Sequence, residues 1–376
     1  MSILIFTNTM DNHAIYVSAA LQQKGHQVYR LFGADFPTRA RVTTTISNDT
    51  EAAWRVRGSN FHLSGGFDTI WNRRRELPTL KSGEEDGQVH PNDFRFALGE
   101  SVSLIRSLWE VMAKESVWIN GLEASIRASR KLLQLQVARE VGLCIPDSCL
   151  SNDLDSIRAF VSKHERVKGA IYKPFRHAFW SEQNDQIVSR LTTRSVTCAD
   201  LLPEAIMRLS PGIFQERVDK AYEVRATFMG RTCVAVALDS QADERTIMDW
   251  RTVDFKELKM QAMNLPTSVY EKSISLMRKL GIIFGCFDFI VTPSGEYVFL
   301  EVNEMGQFVW IERVLPELKL IDMMAEFLIK PSPDFIYRPN HYQACLTEIR
   351  DSASYRDMCL ENASQHVLPD REFAPI

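Results

Sequence analysis

Apolar positions along the chain follow two rhythms, short β-type runs and longer stretches of helical period. At the N-terminus, Ile3 to Thr7 predicts a strand, Asn12 to Lys24 a helix stopped at Gly25, and Gln27 to Leu31 a second strand. This βαβ succession predicts a small α/β layer. A short strand around Asp68 to Asn72 runs into three consecutive arginines, Arg73 to Arg75. The charged, glycine-containing stretch Lys81 to Asn92 reads as a mobile loop, followed by an amphipathic helix from about Asp93 to Lys114. A second helix, about Leu122 to Val141, ends at Gly142, and Ile145-Pro146 starts an extended segment.

From Ser148 to about Ser210 the pattern gives a strand, a helix capped by Asn152 or Asp153, a strand ending in Tyr172-Lys173-Pro174, and a polar hairpin. That is a compact α+β subdomain. Strands follow at Gly212 to Val218, Tyr222 to Met229 and Cys233 to Leu238. Two apolar runs then flank the turn Pro293-Ser294-Gly295, and a closing helix is expected from about Phe308 to Ile329. Pro331 and Pro333 break that helix, and the tail to Ile376 has weak periodicity. The resulting division is 1–120, 121–210, 211–330 and an extension, 331–376, with no internal repeat.

Composition narrows the class. The chain has 376 residues, 45% of them hydrophobic, enough for a substantial core in two or three layers or domains. A formal net charge of −4 leaves no global basic footprint, so nucleic acid is not expected as the main partner. No run reaches the roughly 18 to 20 apolar residues of a membrane helix, so no membrane partner is expected. Met1-Ser2-Ile3-Leu4 lacks a basic leader, which makes the cytoplasm the default. The seven scattered cysteines suggest neither disulfides nor zinc, and Cys233 and Cys286 read as inert strand thiols.

The chemistry concentrates in the Gly285 to Asn303 hairpin, which brings Asp288, Glu301 and Asn303 together. Acids at apolar strand positions are costly unless they are paired or bound to metal. Oxygen ligands on stiff strands suit Mg²⁺, a hard cation that bridges to substrate phosphates. Lys173, at the end of an apolar strand, and Lys131, near a helix start, could supply cations for phosphate; alone, either is more often a solvated surface charge, and they become informative together with the acidic hairpin. Ile213 to Val218 can present an adenine-reading edge or be an ordinary strand. Glu223, Arg225 and Thr227 share one strand face, where Arg225 can stabilise a transferring phosphate or pair with an acid. In Asp249-Trp250-Arg251, a stacked guanidinium is placed to hold a carboxylate, though a plain loop fits as well.

Taken in order, Lys131, Tyr172-Lys173-Pro174-Phe175, Phe214-Gln215-Glu216-Arg217-Val218, Glu223-Val224-Arg225, Asp288 and Phe299-Leu300-Glu301-Val302-Asn303 resemble the ATP-grasp superfamily of carboxylate ligases. The similarity is closer to the microviridin-type graspetide synthetases, through Ile70-Trp71-Asn72-Arg73-Arg74, Leu238-Asp239-Ser240-Gln241, Asp249-Trp250-Arg251 and the run Asn303 to Glu312. It spans roughly residues 2 to 330 and implies an α/β and α+β ATP-grasp fold: an N-terminal α/β pre-grasp domain, a central lid subdomain and a C-terminal mixed-sheet domain.

The resemblance also implies roles. Lys131 and Lys173 would hold phosphates, and Gln215, Glu216 and Val218 would line the adenine and ribose pocket, with Glu223 also on the nucleotide. Arg225 would act on the transferring phosphate and Arg251 would steer the substrate carboxylate, while Asp288, Glu301 and Asn303 would bind Mg²⁺ beside ATP. The implied reaction activates Asp or Glu side chains of a precursor peptide, leader plus core, and closes esters or amides with Thr, Ser or Lys. A homodimer is a further expectation. The sequence departs from the family pattern at Asn72, where an aromatic residue is common, and at Ala128-Ser129-Arg130, which lacks an Asn beside Lys131. The 331–376 tail is also longer than a basic synthetase needs. Two other readings stay open: a ligase joining an amino acid to a free peptide or small acid, and a nucleotide-binding regulator without turnover.

Overall fold

The computed structural model describes the chain except residues 50–52, 59–60, 81–89, 115, 176–177, 182–186, 192 and 369–376; for 91–92, 178–181 and 187–191 only the backbone is described. The predicted loop at Lys81 to Asn92 therefore lies largely outside the described residues.

The N-terminal layer is built as the βαβ rhythm dictates. Ser2–Thr7 and its neighbours form a parallel four-stranded sheet, in the order Gln27–Phe32, Ser2–Thr7, Thr69–Asn72, Val117–Ile119. Helix Asn12–Gln23 packs its apolar face inward, and Asp11 caps it through a bond from the His13 amide. A separate antiparallel sheet, Arg41–Thr45, Ala53–Arg57 and His62–Ser64, covers the layer with Trp54, Val56 and Leu63. Helix Pro91–Ala113 adds Ile105, Leu108, Trp109 and Met112 to the same core.

The central lid is an antiparallel sheet in the order Arg194–Val196, Ala170–Lys173, Gly212–Glu216, Ser148–Ser151, backed by helix Leu154–Glu165. The domain division needs correcting at both of its edges. Strand Gly212–Glu216, assigned above to the C-terminal unit, is the third strand of the lid. The Leu122 to Val141 helix is two helices, Leu122–Ala128 and Lys131–Glu140, and they pack on the C-terminal sheet through Ala128, Leu135, Val137 and Ala138. Sheet membership is set by long-range pairing, which local periodicity does not encode.

The C-terminal sheet is antiparallel, in the order Met260–Met263, Thr232–Leu238, Tyr222–Met229, Phe284–Val291, Tyr297–Asn303. Aromatic rings Phe228, Phe287, Phe289 and Phe299 fill one face and set its rigidity. The single closing helix expected from Phe308 to Ile329 is divided into Val309–Val314, a 3₁₀ turn at Pro316–Leu318, and Leu320–Ile329. Pro316 cannot continue a helix that Leu315 has begun to leave, and Lys319 turns with φ 50°. The tail is also more ordered than its periodicity suggests. Helices Leu346–Arg350 and Ala353–Ser364 cross the first helix, with Tyr355 on Tyr16 at 4.8 Å. His366 closes the strap, its Nδ1 lying 2.6 Å from Asp35 Oδ2.

Candidate active site

Three strands of the C-terminal sheet place a single rung of charge. Arg225 is register partner of Asp288, and Asp288 of Glu301. Between Asp288 and Phe289 the register shifts, because Leu300 is an extra residue on the outer strand. This bulge keeps Phe299 and Val302 in the aromatic core, while both Leu300 and Glu301 border the pocket. Asn303 follows on the same side, its Nδ2 3.4 Å from Glu301 Oε1.

Every carboxylate of the rung is paired. Arg225 Nη1 donates to Asp288 Oδ1 at 2.8 Å and Arg251 Nη2 to Asp288 Oδ2 at 3.1 Å. Lys131, the first residue of its helix, bonds Glu301 Oε2, and Arg251 lies 3.6 Å from Glu301 Oε1. Lys131 and then Arg251 hold the Glu301 carboxyl well below the ordinary range despite its burial. Burial alone would lower the Arg251 guanidinium, but Asp288, Asp249 and Glu301 raise it. Lys173 is pushed down to about 8, first by burial and further by Lys131 and Arg251.

Two cavities of about 310 and 300 Å³ lie between the lid and the large sheet; the first borders the rung, and the two share Lys173, Glu223, Arg251 and Leu300. The first is bordered by Lys131, Lys173, Gln215, Asp288, Glu301 and Asn303; the second by Lys173, Val218, Lys220, Glu223 and Arg251. The structure thus brings together ten of the eleven predicted residues around these two cavities, Arg225 through its bond to Asp288. The exception is Glu216. Its carboxylate accepts from the Asp147 amide at 3.1 Å, and it borders neither cavity, because successive strand residues face opposite sides. Gln215, next to it, donates to Ser148 Oγ at 2.9 Å.

Sequence reasoning missed Lys220, Thr193 and Leu300. Lys220 donates to Glu223 at 2.9 Å, and the three-residue spacing of that pair was its only sequence signal. Asp249, noted above without a role, accepts from the Arg251 amide at 3.0 Å and fixes the Trp250–Thr252 turn.

A metal fits this donor set. Among the described residues no three His, Cys, Asp or Glu side chains form a ready-made cage. Mg²⁺ does not require one, since it takes one or two carboxylates and completes its shell with water and substrate phosphate. Asp288, Glu301 and Asn303 each present a side-chain oxygen at the pocket edge, with their present partners Arg225, Arg251 and Lys131 or one another.

A third cavity, about 660 Å³, adjoins the rung from the other side and lies between the N-terminal layer and the C-terminal sheet. Arg225, Arg251, Glu301 and Asn303 border it, so the rung separates a lid-side space from a larger one open to the N-terminal domain. Trp250 and Trp310, with ring centroids 4.9 Å apart, form part of its wall.

Residues 2–125 match the family described as the MvdD pre-ATP grasp domain. Among solved structures, the RiPP-associated ATP-grasp ligase of Chryseobacterium gregarium, in complex with ADP and a leader and core peptide, is 23% identical, with a TM-score of 0.78 over 90% of this chain and 99% of that one. Macrocyclase MdnC of Microcystis aeruginosa MRC, bound with precursor peptide MdnA, is 26% identical (TM-score 0.75; 88% and 100% covered). Macrocyclase MdnB of the same organism is 27% identical (TM-score 0.72; 88% and 99% covered). No curated protein matches. The chain shares its fold with ATP-grasp ligases. Within them it is similar to the microviridin-type ligases of ribosomal peptides, and an MvdD-type domain occupies its N-terminal third.

Proposed function

We propose that the chain is an ATP-dependent ligase that activates Asp or Glu side chains of a ribosomally made precursor peptide and closes ester or amide macrocycles on it. The observation that carries this reading is the Arg225–Asp288–Glu301 rung, standing between two lid-side cavities and a larger one. ATP is a consumed substrate in this reading. Lys131 and Lys173 would hold its phosphates, and Gln215, Val218 and Glu223 would border the base and ribose. Asp288, Glu301 and Asn303 would hold Mg²⁺, which supplies charge neutralisation at the β- and γ-phosphates when bound.

A peptide carboxylate entering from the larger cavity meets Arg251 and attacks the γ-phosphorus. The bond from γ-phosphorus to the ADP oxygen breaks, giving ADP and an acyl phosphate. Arg225 stabilises the charge spread over the transferring group. A Thr or Ser hydroxyl, or a Lys amine, then attacks the acyl carbon, loses a proton and expels phosphate. Arg251 suits the first step because it lies over the Trp250 ring at 5.0 Å while its Nη2 donates to Asp288 Oδ2 at 3.1 Å. Two similar structures, complexes with a leader and core peptide and with a precursor peptide, support a peptide as the carboxylate donor.

No helix among the described residues is long and apolar enough to cross a membrane. We place the reaction in the cytoplasm, and a homodimer is part of the proposal. The direct test is co-expression with an adjacent small open reading frame rich in Asp or Glu and in Thr, Ser or Lys, followed by mass spectrometry. Each ring removes one water from the precursor. A precursor that never loses water in such steps, beside an enzyme that releases ADP with free amino acids, favours the small-acid ligase instead.

A further inference from the structure

Three consecutive arginines close the Thr69–Asn72 strand, and their side chains meet three different environments. Arg73 is fully buried: its Nε lies 3.1 Å from Asp11 Oδ2, and its Nη1 donates to the carbonyls of Met305 and, at 3.1 Å, Gly306. Arg75 lies over the Trp109 ring at 4.6 Å. Arg74 differs from both. Its backbone is fixed by a bond from its amide to Phe6 O at 2.8 Å, yet its side chain makes one long bond, 3.4 Å, to Met305 O.

Arg74 borders the 660 Å³ cavity, and among the described residues no carboxylate stands within ion-pair distance of it. Three acids act on it from beyond that distance: Asp11, already held by Arg73 and His13, Glu304, which accepts from Ser125 Oγ at 3.4 Å, and Glu76, which accepts from Asn8 Nδ2 at 2.9 Å. Burial and the adjacent Arg73 lower the Arg74 guanidinium to about 10, so it is still a cation at neutral pH. Arg313, which borders the same cavity, is likewise without a carboxylate among the described residues, resting over Tyr16 and Phe255 at 5.7 and 5.9 Å. Arg225 and Arg251 border that cavity too. A cation held partly desolvated with its donors unspent is a receptor for an anion.

We propose that Arg74 binds a second carboxylate of the peptide, one that flanks the carboxylate being activated at Arg251, with Arg313 of the same cavity assisting. The substrate class is then a segment carrying at least two nearby acids, and a lone acid is a poor substrate. This assignment rests on the peptide-ligase reading above.

The test measures binding of a synthetic nonapeptide, Gly-Thr-Gly-Glu-Gly-Glu-Gly-Thr-Gly, and of its two single-Gln counterparts, by calorimetry or NMR with ADP and Mg²⁺ present. Wild-type protein is expected to prefer the two-acid peptide about tenfold, the value of one charge-assisted bond at a partly exposed site. Arg74→Gln should bind all three peptides alike, and Arg74→Lys should keep part of the preference. ADP affinity and the thermal midpoint, measured on the same samples, establish that both variants are folded. A wild-type protein indifferent to the second acid, or an Arg74→Gln protein that keeps the preference, overturns this assignment alone. A wild-type protein that binds none of the peptides counts against the peptide-ligase reading and takes this assignment with it.

Discussion

Two networks of buried charge lie on either side of the Asn303–Gln307 loop, and they are built to opposite ends. In the first, Asp11, His13 and Arg73 of the N-terminal layer close on the carbonyls of Met305 and Gly306. His13 Nε2 accepts from the amides of Phe308 and Val309 at 2.9 and 3.1 Å, and burial with Arg73 beside it pushes its imidazole down to about 4. Burial would raise the Asp11 carboxyl, but Arg73 and His13 hold it well below its usual range. In the second network, Lys131, Arg225 and Arg251 meet Asp288 and Glu301 at the edge of open cavities. The first network pins a loop. The second borders cavities on both of its sides. Asp11 and His13 border the 660 Å³ cavity too, so adjoining space does not separate the two networks; the partial exposure of Lys131, Arg251 and Glu301, against the buried Arg73 and Asp11, does.

The closed network should show the larger stability effect. Arg73→Met leaves Asp11 buried with one partner fewer and strips two carbonyls of their donor. It is expected to cost about 3 to 5 kcal/mol in denaturant unfolding. A loss below about 1 kcal/mol would mean that the network does not pin the loop.

The open network should respond to nucleotide and pH. Lys173→Met is expected to weaken ATP binding about tenfold at pH 7. The Lys173 ammonium is about 8 in the folded chain against an ordinary 10.5, so the fold disfavours its charged form. That penalty is present below pH 8 and is relieved as pH rises from 8 to 10.5. Phosphate reverses the preference, so ATP binding near pH 8 should take up a fraction of a proton. Calorimetry in buffers of different ionisation heat measures it, and Lys173→Met should abolish it. Equal uptake in variant and wild type would remove Lys173 from the phosphate site.

Much of this was legible in the chain, for local reasons. Asp288, Glu301 and Asn303 stand in apolar β-type runs around a Pro-Ser-Gly turn, and such a pattern encodes its own hairpin. Lys173 and Lys131 were legible as element-terminal cations. The Leu300 bulge was not, because an extra residue in one strand shows only against its partner. Strand Gly212–Glu216 has the same pattern in either sheet, so its place in the lid depends on partners more than 35 residues away. The break at Ser129-Arg130 carries no Gly or Pro, whereas Pro316 was a visible stop that a long apolar period obscured. The tail looked weakly periodic because its helices are short and pack piecemeal against Asn12–Gln23 and Asp35.

The central claim is that the Asp288–Glu301 pair is the seat of phosphate chemistry, and precursor-dependent ADP release tests it most directly. With the co-expressed precursor as substrate, Asp288→Asn and Glu301→Gln should each lower ADP release by about a thousandfold or more while the protein stays folded. Wild-type turnover in both variants would contradict the account.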